Sequence, residues 1–150
     1  MFTRSRSTTL AALAAVLVLA ACGSDSTGPA PGPGASVRYT LVQVHPLASL
    51  GGGGDGIPVS FVDGSGRTLE FKSGSFTLEP SGEFDLTVNV DFEDSSYDAG
   101  DLGIYTASGS SLSLTSMLDD AVYSATISGD KLQTTYKVAG LQFELMFEKD

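Results

Sequence analysis

Phe84, Leu86, Val88, Val90 and Phe92 alternate with Asp85, Thr87, Asn89, Asp91 and Glu93. Apolar residues at period two place one face of a strand in a core and the other in water. Leu141, Phe143, Leu145 and Phe147 repeat the pattern against Gln142, Glu144 and Glu148. Shorter alternations at Val59/Phe61, Leu69/Phe71, Phe76/Leu78, Leu102/Ile104, Leu112/Leu114 and Leu132/Thr134/Tyr136/Val138 each predict a core-facing row. No stretch after Ser36 sustains a helical period.

Turn signals separate these runs: Asp63-Gly64-Ser65-Gly66, Ser81-Gly82, Ala99-Gly100, Ser108-Gly109-Ser110, Ser128-Gly129-Asp130 and Ala139-Gly140. A Gly followed by a small polar residue suits a two-residue type II′ hairpin, whose first central residue needs positive φ. The pattern T-x-S-G-x-x-L occurs at Thr106–Leu112 and again at Thr126–Leu132, which reads as one hairpin type used twice. Turns every 8–12 residues or so predict an all-β domain of about eight to ten short strands. Consecutive hairpins favour a meander, and a meander with one apolar face hides that face and its edges together by closing. The expected fold is a small antiparallel up-and-down barrel.

The first residues follow a different pattern. Arg4 and Arg6 precede Leu10 to Ala21, an unbroken apolar run. It is shorter than the roughly 20 residues a bilayer span needs and fits the core of a secretory signal. Leu19-Ala20-Ala21-Cys22 follows, which resembles the lipobox of bacterial lipoproteins. That resemblance implies a signal peptide at 1–21, cleavage before Cys22, and a diacylglycerol on the Cys22 sulfur. Two or more acyl chains hold a protein stably at a membrane. Gly rather than Asp at position 23 points, by the enterobacterial pattern, to the outer membrane. The residue reading alone also admits a plain secretory signal with an incidental Cys22. Residues 22–36 then comprise Cys22 and a Gly/Pro/Ser-rich tether, with Pro29, Pro31 and Pro33 alternating with small residues. Its last fourteen residues would reach about 40 Å in polyproline form. Residues 37–150 are the folded domain.

Composition narrows the function. The chain has 150 residues, 8 Lys+Arg and 18 Asp+Glu, for a net charge of −10. Such a surface disfavours nucleic acid, whose binding rests on cations neutralising phosphates. One Cys, one His and no Trp exclude a disulfide framework and a His/Cys zinc cluster within one chain.

Within the domain, Tyr39-Thr40-Leu41-Val42, Gly74-Ser75-Phe76-Thr77-Leu78, Ser81-Gly82-Glu83-Phe84, Gly103-Ile104-Tyr105-Thr106 and Leu141-Gln142-Phe143-Glu144-Leu145 occur in an order similar to small lipocalin-like domains of bacterial lipoproteins. The resemblance implies a barrel of about eight strands able to hold a ligand cavity, and carries over no catalytic residue. The chain departs from the lipocalin pattern in lacking a Trp near its first strand.

Three segments suggest chemistry. Residues 51–56, GGGGDG, satisfy G-x-G-x-x-G literally, but a strand rather than a helix follows, so no helix N-terminus meets a phosphate. They read as a loop, suited to a barrel mouth. Asp91, Glu93, Asp94, Asp98 and Asp101 form the densest acidic stretch. They lack the Gly and Glu spacing of an EF-hand and read as a solvated loop with edge-protecting charges. His45, followed by Pro46, reads as a strand end, and no G-x-S-x-G accompanies it. No catalytic residue, metal site or cofactor is expected, and the chain is read as a non-enzyme. Two functions stay open: an envelope lipoprotein binding a small apolar or amphipathic ligand, or a structural or interaction lipoprotein with a fully packed barrel. Cys22 is the one position given a role, as the lipidation site.

Overall fold

The computed structural model describes residues 34–150. The expected signal peptide, Cys22 and the expected tether up to residue 33 lie outside the described residues. Ten strands follow: β1 (Val37–Pro46), β2 (Gly51–Gly52), β3 (Val59–Val62), β4 (Thr68–Leu78), β5 (Glu83–Phe92), β6 (Ser95–Ser108), β7 (Ser111–Ser116), β8 (Val122–Ser128), β9 (Lys131–Val138) and β10 (Leu141–Lys149). They form one antiparallel sheet in the order β1-β10-β9-β8-β7-β6-β5-β4-β3-β2. A further pairing of β1 with β4, from Val37↔Leu78 to Thr40↔Ser75, closes eight of them into the expected barrel.

Closure depends on β4 serving two partners. Its first half pairs with β3 (Val59↔Phe71) and its second half with β1. The exchange falls at an irregularity between Phe71 and Ser73 in β4, matched by one between Leu41 and Gln43 in β1. Bulges bend a strand and raise its twist, which is what a barrel corner requires. Gly74 sits beside the exchange. A Cβ there would stand 3.0 Å from the Thr87 carbonyl oxygen and 3.1 Å from the Leu41 side chain. β2 and β3 form a flap on the first half of β4, so Gly51-Gly52, expected as loop, carries a short ladder to Val62 and Phe61.

The inward row of nearly every strand is apolar and buried. Phe61, Phe71 and Phe143 meet with ring centroids 4.8–5.9 Å apart. Phe76 packs on Phe84 at 5.7 Å and on Phe147 at 5.8 Å. These rings fill the interior.

Turns Gly109-Ser110 and Gly129-Asp130 carry positive φ at the glycine alone, the type II′ form expected of them. Ala139-Gly140 carries positive φ at both residues, which is the type I′ form. Two expectations fail in β6. Ala99-Gly100 lies inside the strand rather than at a turn, and the chain reverses instead at Glu93-Asp94. Leu102 and Ile104 face outward, with Asp101, Gly103 and Tyr105 on the inner face. The cause is Phe84. Its ring edge stands 2.8 Å from where a Gly103 Cβ would be, so the ring fills the space an inward apolar β6 residue would take.

Candidate functional site: a breach in the barrel wall

Antiparallel order sorts the connections between the two ends of the barrel. The start of β1, the turns after β4, β6 and β8, and the end of β10 share one end, where the chain enters. The turns after β5, β7 and β9 share the other. The β7–β8 hairpin closes the wall at the entry end only. β6 pairs with β7 from Gly103 to Ser108, so residues 95–102 have a ladder to β5 alone. β8 and β9 pair from Ala125↔Thr134 to Ser128↔Lys131, and residues 135–138 of β9 pair only with β10. Between these stretches the wall opens.

Three side chains bridge the opening. Tyr136 Oη donates to the Gly100 carbonyl at 2.5 Å. Tyr123 Oη donates to Asp101 Oδ2 at 2.9 Å, and Ser116 Oγ donates to Asp101 Oδ1 at 2.8 Å. Ser116 Oγ also accepts the Leu118 amide at 3.1 Å, which ties the carboxylate to the β7–β8 turn. Burial, the hydrogen bond to Asp101 and the charge of Asp101 all push the Tyr123 phenol far above its ordinary range. Burial, then the charges of Asp101 and Asp119, raise Tyr136. Both phenols therefore stay protonated and act as donors.

A pocket of about 480 Å³ occupies the breach. Asp101, Ser116, Tyr123 and Tyr136 line it, together with Leu118 and Ala121 of the β7–β8 turn. Lys137, Gln142 and Asp119 stand on its rim. Smaller depressions adjoin it on both sides, sharing Asp101 and Leu118 with one and Lys137 and Gln142 with the other. Rings and aliphatic carbons beside a few fixed hydroxyls and the carboxylates of Asp101 and Asp119 suit an amphipathic small molecule.

The segments singled out in the sequence lie elsewhere or scatter. Cys22 is outside the described residues. His45 is half exposed on β1, with Nδ1 3.8 Å from Glu144. The acidic stretch is a strand, a turn and a strand rather than a loop. Asp91 pairs with Lys72 and accepts from Ser96, and Asp98 accepts from Asn89 at 2.9 Å. Asp101 alone turns inward. Among the described residues no three His, Cys, Asp or Glu side chains gather around a metal-sized space. Asp101 is read from the sequence as part of a solvated acidic loop, because Leu102 and Ile104 beside it suggest the opposite face; the structure turns it inward. Tyr136 was legible as inward from its alternation with Leu132, Thr134 and Val138. In comparisons with protein families, curated proteins and solved structures, nothing matches this chain.

Proposed function

We propose that this protein is an envelope lipoprotein, anchored through Cys22, whose lipocalin-like barrel binds a small amphipathic ligand at the end remote from its anchor. The observation that carries the binding reading is the breach pocket, where a carboxylate and two tyrosines converge beside apolar carbons. The site is a notch in the wall, because phenylalanine rings occupy the interior in which a lipocalin-like cavity would lie. The anchor reading rests on Arg4, Arg6, the apolar run and the Leu19–Cys22 tetrad. The chain enters the barrel at the end opposite the pocket, so a membrane-held tether would leave the pocket facing away from the lipid. The outer membrane is the assigned location, on the strength of Gly23. The protein acts here as a binder, without catalysis.

Two experiments test these halves. Cys22→Ala should abolish palmitate labelling of the full chain and leave the precursor unprocessed, whereas a labelled variant would refute the anchor. Native mass spectrometry of the purified protein should show added mass that disappears on denaturation. A bare chain would favour the second reading, a packed barrel that contacts envelope proteins. One observation supports that reading: Leu102, Ile104, Met117, Leu118 and Val122 are exposed together around the β7–β8 hairpin.

A further inference from the structure

We propose that the breach pocket selects an organic cation, an amine carried on a small apolar body, with Asp101 as its counter-charge. This inference rests on the binding reading above and names the ligand class. Asp101 is only 8 % exposed. Its hydrogen-bond partners are two neutral hydroxyls, Ser116 and Tyr123. Among the described residues, no Lys, Arg or His stands within ion-pair distance of it; Arg38, His45, Arg67, Lys72 and Lys131 pair instead with Asp150, Glu144, Asp63, Asp91 and Glu148. Hydroxyls satisfy hydrogen bonds without supplying opposite charge, and a buried carboxylate with no counter-charge is costly. Each carboxylate oxygen has room for about two donors and here holds one, so acceptor capacity remains for an ammonium group.

The neighbours favour the same class. The Tyr123 and Tyr136 rings stand 6.3 Å apart, tilted by 51°, on the pocket wall. Aromatic faces attract cations most strongly where water is partly excluded. Asp119 on the rim adds negative charge, and the net charge of −10 raises the local concentration of cations over anions. Lys137 is the one basic residue lining the pocket, and it lies on the outward face of β9 beside Gln142. Leu118 and Ala121 add apolar carbons to the lining, against which an apolar body would rest.

The test is a charge series of matched shape: 2-phenylethylammonium, 2-phenylethanol and 3-phenylpropanoate. Each is titrated into the full chain, carrying ¹³C-labelled tyrosine, in non-ionic detergent. Five tyrosines are present, and Tyr123 and Tyr136 report the pocket. The ammonium is expected to bind at least about tenfold more tightly than the alcohol, and the carboxylate more weakly than either. Asp101→Asn keeps the shape and should bring the ammonium down to the affinity of the alcohol. Equal affinities in the wild-type protein, or an unchanged preference in a folded Asn variant, would overturn the cation assignment and leave the binding reading standing. Failure of all three probes to shift Tyr123 and Tyr136 would overturn the binding reading itself. If the Asn variant loses its fold, the charge series on wild-type protein decides alone.

Discussion

Gly103 is a residue whose lack of a side chain holds two strands together. An added Cβ would meet the Thr115 carbonyl oxygen at 2.0 Å and the Phe84 ring at 2.8 Å, and backbone cannot step aside. Gly103→Ala should therefore cost about 2–3 kcal/mol, read from the urea midpoint. Gly64→Ala, where nothing stands within 4 Å, is the control and should change stability little. Tyr39 presents the converse case. It is wholly buried, its hydroxyl has no hydrogen-bond partner among the described residues, and burial raises its pKa. Leaving a buried donor unmatched is unfavourable, so Tyr39→Phe should keep the fold and gain about 1 kcal/mol by the same measurement.

Turns set the limits of the elements, and two of them make separate predictions. Ala139 holds φ at +49° ahead of Gly140 in a type I′ turn, a geometry that favours Asn-Gly. Ala139→Asn should raise the melting temperature, by an amount matching about 0.5–1 kcal/mol. In the β3–β4 turn, Asp63 accepts from the Ser65 hydroxyl and from the Arg67 and Ser65 amides, which holds its carboxyl well below the usual carboxylate range. A lowered folded-state pKa supports folding above the unfolded value, about 4, and that support fades as pH falls through the folded value. The protection factors of the Ser65 and Arg67 amides, taken against the intrinsic exchange rate at each pH, should fall as pH drops below about 4, and Asp63→Asn should remove that dependence. The same elements show what the sequence makes legible. Strands such as β5 and β10 stand out because their apolar residues occupy one parity, and the glycine turns stand out because positive φ is a local demand. β6 misleads because its inner face carries Asp101 and Gly103, space that Phe84 fills from another strand. Neither the Glu93-Asp94 reversal nor residues 117–121 contain a glycine, so no local signal marks them. The breach lies between residues 95–102 of β6 and 135–138 of β9, and only long-range pairing defines it.

At the scale of the molecule, the phenylalanine rings hold the wall of the barrel, and the wall holds the pocket at the end opposite chain entry. If Cys22 anchors the protein as proposed, a cysteine placed at Leu118 should, in isolated membranes, react with a bulky maleimide several-fold faster than one placed at Ser81, near the entry end. Equal rates would contradict an outward-facing pocket. The closure of β1 has a further consequence, in time rather than in space. Every ladder joins strands adjacent in the chain except those of β1, which pairs with β4 and with β10, Tyr39 lying opposite Lys149. Local hairpins form early, whereas contacts of large sequence separation must wait for the chain between them to be ordered. The first strand to be synthesised is therefore the last to find both neighbours. Until the nine residues of β10 are made, it offers a long open edge to any other extended chain nearby, and the period between translation and closure is when this protein most needs a chaperone.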